Sequence, residues 1–268
     1  MIRSTWATRL VVLLSILILL VLWHVGAVIL DANVILPTPT KAIHALVELV
    51  GTSPFSLHIG TTVLRALESF AIISLSGILL GILAGSSIYI HALLRPFLAI
   101  CKAVPVMSVI LLAFIWFSSG TVPLFSAFLM GFPVMFVQVE SGVRSISKKL
   151  DEMVRMYALT KKERIFHFIL PSLAPSIATG ARSSLAMVWK VVIAAEVLTV
   201  PRYGVGSRMQ MAQVNLETAE VLAWTLIAVV LTVAGDVLFD AALRLPPWIS
   251  RQRHRKIIAS LGMDGELR

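Results

Sequence analysis

Apolar residues gather in long runs broken by short polar stretches, and the breaks leave six candidate spans, at about 8–30, 59–86, 94–118, 122–143, 176–200 and 220–243. Each reaches the roughly 20 residues a helix needs to cross about 30 Å of hydrocarbon. The runs are continuously apolar rather than alternating, which favours an all-α bundle over a barrel. One polar break is long, 144–175. Within it Asp151 caps a predicted short helix through Tyr157, and the chain turns near Ala158–Leu159. Thr160-Lys161-Lys162-Glu163 then matches a capping box opening a second helix. That helix places Ile165, Phe168 and Ile169 on one face and Lys161, Lys162 and Arg164 elsewhere, and Pro171 and Pro175 are expected to end it. A compact polar knob suited to contact with a soluble partner is the result; a solvated loop without a partner fits the same residues.

Two further patterns lie outside the spans or along one of them. Thr38 and Pro39 open a predicted short helix as cap and first residue, with Ile43, Leu46, Val47 and Val50 recurring at helical spacing for the membrane–water interface. Gly77, Gly81 and Gly85 form a small-residue face suited to close helix approach, within the subunit or against a second copy.

Composition agrees with the pattern: 58% of the 268 residues are hydrophobic, only 14% are charged, and mean hydropathy is +0.92. The 23 Lys and Arg against 14 Asp and Glu cluster in loops, so the basic excess reads as membrane sidedness rather than nucleic-acid binding. Arg3, Arg9, Arg95, the cluster at 144–164 and the tail from Arg244 to Lys256 fall on one side, which places both termini in the cytoplasm. The run from Leu10 to about Leu30 is too long for an ordinary signal peptide and reads as a retained first helix. Cys101 lies in an apolar run with no second cysteine to pair with. The six histidines show no ligand spacing, and no Gly-x4-Gly-Lys-Ser/Thr loop occurs, so neither metal binding nor ATP hydrolysis by this chain is expected.

Ionisable residues within spans are costly and therefore informative. Arg65 and Glu68 are spaced for a local ion pair, and Lys190 and Glu196 share the fifth span. For these four, structural pairing and a pathway or gating role both stay open. Asp236 and Asp240 make a weak metal signal, and pairing of Asp240 with Arg244 is simpler.

The polar break resembles the signature segment of permease subunits in bacterial ABC importers: Glu-Ala-Ala, three residues, Gly, nine residues, Ile-x-Leu-Pro. Glu152 takes the Glu position, Met153 and Val154 the two Ala positions and Ala158 the Gly position. Phe168 takes the Ile position, and Leu170 and Pro171 match directly. Leu36-Pro-Thr-Pro, Leu64-Arg-Ala-Leu-Glu-Ser-Phe, Gly77-x3-Gly81, Arg95-Pro-Phe, Val104-Pro105 and Ala194-Ala-Glu-Val-Leu198 follow in family order, as in the nitrate/sulfonate/taurine branch.

The resemblance implies a six-helix bundle of the type I importer kind, non-enzymatic itself, working as the pore-forming subunit for a small solute. A sulfonate-like anion is the expected substrate, with nitrate, taurine, bicarbonate or a vitamin precursor as alternatives. It further implies a second permease copy, two cytoplasmic ATPases that bind ATP and Mg, and an extracytoplasmic binding protein. Glu152, Tyr157, Ala158, Leu159, Thr160, Lys161, Lys162 and Glu163 would meet the ATPase, with Leu170 and Pro171 shaping the loop. Lys190, Glu196, Arg65, Glu68 and Pro105 would be pathway or gating candidates. The expected organisation is a cytoplasmic N-terminus at 1–7, a first helix at 8–30, and a periplasmic segment with an interfacial helix at 31–58. A five-helix permease core at 59–243, containing the loop 144–175, and a basic cytoplasmic tail at 244–268 complete it. An ion-gradient-driven transporter working through Glu196 or Asp236 is the alternative; six spans without an evident inverted repeat disfavour it.

Overall fold

The computed structural model describes residues 6–32, 34–146 and 169–244. Helices account for nearly all of these: α1 Trp6–Leu30, α2 Pro39–Val50, α3 Phe55–Ser86, α4 Ile88–Ala103, α5 Val106–Trp116, α6 Val122–Arg144, α7 Leu170–Thr199, α8 Val205–Val214 and α9 Thr218–Arg244. Four of them, α1, α3, α6 and α9, are long and apolar enough to cross a membrane. The predicted span 94–118 is broken: α4 and α5 meet at 103°, and counted together they make a fifth crossing. The break follows from Pro105, which lacks an amide hydrogen and holds the preceding Val104 extended at ψ 128°. Helix α7 covers the predicted span 176–200 and, at 30 residues, is about 45 Å long. Arg182, Lys190 and Glu196 lower its hydropathy below that of the other four.

Pro171 and Pro175 both lie within α7, and the short helix expected before them lies outside the described residues. Leu170 and Pro171 form the first turn of α7, where a missing amide hydrogen costs nothing, and Pro175 sits inside that helix. Thr38 takes the N-cap position of α2 as expected, yet its hydroxyl bonds Thr40 Oγ1 (2.9 Å) instead of a helix amide. The apolar side of α2 also divides. Leu46 and Leu49 pack inward against Trp224 and its neighbours and Ala42 is buried, while Ile43, Val47 and Val50 stay exposed.

The core is a three-helix slab with α6 at its centre, flanked by α3 and α7. Small residues set the spacing. An added Cβ at Gly77, Gly81 or Gly85 would come within 2.7, 2.8 and 2.5 Å of Met135, Val139 and Val143 on α6. The glycine face of α3 is thus spent inside the subunit. On the other side of α6, Gly142 and Gly180 make equally close approaches to Ser176 and Met135, joining α6 to α7. Ile73, Met135, Val139, Leu185, Val188 and Val192 fill the slab. Helix α1 stands apart from it, touching α2 and tied through Trp23 Nε1, which donates to Pro37 O (3.0 Å).

Candidate functional site

The most developed polar site lies where the start of α3 meets the end of α7 and the loop into α8. Glu196 is fully buried there. Its position in the last turn of α7 aims it at α3, where Thr62 and Arg65 are three residues apart and share one helix face. Arg65 Nη1 donates to Glu196 Oε1 (2.6 Å) and also to Tyr203 O (2.7 Å). Thr62 Oγ1 donates to the carboxylate at 2.9 Å, and the Gly206 amide donates to Oε2 at 3.1 Å. The Val205 amide closes the ring on Thr62 Oγ1 (2.9 Å), and the Gly204 amide donates to His58 Nδ1 (3.1 Å). A carboxylate removed from water is tolerated only when its lone pairs are met by such donors.

The backbone is shaped to make those contacts. Val200 ends α7 in the left-handed region (φ 42°), a conformation costing an L-residue roughly 1–2 kcal/mol, and Pro201 follows it. That turn brings 203–206 back onto the carboxylate. A Cβ at Gly204 would lie 2.6 Å from Glu196 Cδ, and one at Gly206 would lie 2.4 Å from Ile193 O, so both positions need glycine for close approach. Aromatic packing surrounds the junction: His58 meets Tyr203 (5.5 Å) and Trp224 (5.9 Å) edge to face, and Arg202 lies over the Tyr203 ring (5.1 Å).

Arg65 therefore pairs with Glu196 on another helix and not with Glu68, which is exposed. Lys190 shares α7 with Glu196 but is exposed on a different face. Pro105 forms the bend between α4 and α5, away from this junction. Sequence reasoning missed Thr62, His58, Gly204 and Gly206, together with all of α8. The Gly-Val-Gly run eight residues beyond Glu196 was the available signal, since two glycines so placed allow a backbone to wrap a side chain.

At the opposite end, where α6 leads into the polar break, Glu140 pairs with His91 (2.5 Å) and Arg144 (2.8 Å). The partner found for Asp240 is Arg182 on α7, across the helix interface. The ATPase-facing candidates Glu152, Tyr157, Ala158, Leu159, Thr160, Lys161, Lys162 and Glu163 lie outside the described residues.

Four helices long and apolar enough to cross a membrane, with a buried Arg65–Glu196 pair tying two of the packed helices together, make this a multi-span membrane protein. Residues 77–245 match the family described as binding-protein-dependent transport system inner membrane component, and the chain belongs to that family. It is 29% identical to a Bacillus subtilis (strain 168) protein named as an aliphatic sulfonates transport permease, SsuC, over 90% of this chain and 84% of that one. It is 28% identical to the taurine transport system permease protein TauC of Escherichia coli (strain K12), covering 86% of each chain. The bicarbonate transport system permease protein CmpB of Synechococcus elongatus is 25% identical over 53% of this chain and 51% of that one. The chain is accordingly a multi-pass inner-membrane ABC transporter permease.

Proposed function

We propose that this chain is the pore-forming subunit of an ATP-driven importer for a small sulfonate-like anion. Two copies would enclose the pathway, two cytoplasmic ATPases holding ATP and Mg would drive it, and an extracytoplasmic binding protein would deliver the solute. In this reading residues 1–7, the segment 144–175 and the tail 244–268 face the cytoplasm. The segment 31–58 and α8 lie outside, with the core at 59–243 between.

The observation that carries the reading is the mechanical continuity of α6 and α7. These two helices bear the two ends of the polar break, and close glycine contacts at Gly142 and Gly180 join them. A push on the segment between them would pass as rigid-body motion to the far end of α7. There the Glu196–Arg65 junction links α7 to α3 and to the loop before α8. Glu152 and Tyr157 through Glu163 are the residues assigned to receive the push, and Pro105 is the bend that adjusts to it. Glu196, on which a gradient-driven alternative would lean, already accepts from Arg65, Thr62 and Gly206, which favours a joint over a proton carrier.

Co-purification with candidate ATPases and binding proteins, followed by an ATPase assay in lipid, tests the proposal. Stoichiometric capture of an ATPase whose activity rises with a liganded binding protein is the expected result. ATP-independent uptake by the chain alone would overturn it.

A further inference from the structure

Helix α4 is the arm that leads to the bend at Pro105, and its hold on the core is mostly apolar. A single extended residue, Ser87 (φ −136°, ψ 122°), links it to α3, and its far end meets α5 at 103°. Between those ends it runs back along α6. His91 lies against Glu140, and Phe97 meets Phe132, eight residues earlier on α6, with ring centroids 6.1 Å apart. Leu98 is buried in the cluster of Ala84, Phe132 and Phe136. Apolar contacts of this kind are non-directional, so they hold α4 to the core without fixing its angle.

One contact is of a different kind. His91 Nδ1 stands 2.5 Å from Glu140 Oε1, and Arg144 Nη2 stands 2.8 Å from the same oxygen. Neither approach has hydrogen-bond geometry, so charge makes them attractive, with His91 in its protonated form. Glu140 is buried, and a buried carboxylate is stable only where cations compensate it. Here it draws that compensation from its own helix and from α4. The other charges of α4, Arg95 and Lys102, are exposed and have no ion-pair partner among the described residues. Among those residues, His91–Glu140 is thus the one ion pair joining α4 to another helix. Leverage adds to its importance. His91 is about 6 Å along the helix from the pivot at Ser87, and Ala103 is about 24 Å from it. A displacement of about 1 Å at His91 therefore becomes about 4 Å beside the bend.

We propose that Glu140 is a positioning residue for transport: by holding His91 through charge, it sets the angle of α4 and hence the place of the Pro105 bend. Arg144 steadies the carboxylate from the end of α6 that leads into the polar break. The role in transport rests on the importer reading above; the placement of α4 does not.

Spin labels at Ile100→Cys on α4 and Ser141→Cys on α6, both exposed positions, report that placement in a Cys101→Ala background. The labelled chain, diluted with unlabelled copies in nanodiscs, is measured by double electron–electron resonance. His91→Gln and Glu140→Gln should each shift the mean distance by about 4 Å or broaden its distribution to that extent, and His91→Lys, which keeps the cation, should restore it. The same substitutions are made in the captured ATPase complex, where ATP hydrolysis is read with and without binding protein. Stimulation should fall about fivefold or more in both neutral variants with ATPase capture intact, and the double variant should be no worse than Glu140→Gln alone. An unchanged distance in the neutral variants, or a His91→Lys chain as impaired as His91→Gln, would overturn the proposal. Full stimulation despite a shifted distance would overturn the role in transport. If Glu140→Gln fails to fold, the two variants at the half-buried His91 decide the matter alone. A shifted distance without ATPase capture would sink the importer reading only, and capture with an unshifted distance would sink this one only.

Discussion

Replacing Arg65 with Ala should be among the most damaging single changes this chain can suffer. The substitution removes both donations made by Nη1, to Glu196 Oε1 at 2.6 Å and to Tyr203 O at 2.7 Å. It leaves a fully buried carboxylate held only by Thr62 and the Gly206 amide. Breaking a buried pair from one side typically costs about 3–5 kcal/mol, because the remaining charge is uncompensated. A chain of this size loses about 2 °C of Tm per kcal/mol, so a fall on the order of 6–10 °C is expected in detergent. Arg65→Met combined with Glu196→Met removes both charges, and replacing a buried pair by apolar groups is often close to neutral. The double variant should recover most of the loss, and the four-corner cycle should show coupling above about 2 kcal/mol. Glu68→Ala, at an exposed position on the same helix, is the control. An Arg65→Ala chain as stable as Glu68→Ala, or a double variant no better than the single, would refute the account of the junction.

Gly81→Ala, whose Cβ would meet Val139 Cβ at 2.8 Å, should lower thermal stability by about 1–3 kcal/mol. Gly60→Ala, with open space around it, should be neutral or raise stability by up to about 1 kcal/mol in the same assay. Val200→Gly should stabilise the chain by up to about 1 kcal/mol in denaturant titrations by relieving a left-handed β-branched residue. Replacing Lys161 and Lys162 together with Glu should abolish ATPase stimulation while membrane insertion, read by protease protection, stays intact.

Four of the six expected spans, with the bent α4–α5 pair as a fifth, were legible because each is a sustained apolar run, and the bilayer imposes its length directly on the sequence. Gly77, Gly81 and Gly85 were legible as a packing face, but which helix they meet depends on α6, whose matching residues Met135, Val139 and Val143 carry no mark in sequence. The 103° bend was hidden because Pro105 sits within an otherwise continuous apolar stretch. Helix α8 was missed because Gly204, Gly206 and the interspersed Arg208, Gln210 and Gln213 hide any period. The Arg65–Glu196 pair spans 131 residues of sequence, and local spacing instead offered Glu68 as the partner. Burial chose between them, since Glu196 has no water to turn to and Glu68 is exposed.

Only 6% of the most apolar stretch of the first span is buried by the protein, against 61% of the corresponding stretch of α6. The lipid, not the fold, constrains α1. Almost any apolar residue will serve at most of its positions, so long as Trp23 keeps its bond to Pro37. Among related chains, α1 should therefore drift freely at constant hydropathy, whereas α6 should tolerate few exchanges. Alignments would gain discriminating power by weighting the second and largely discounting the first.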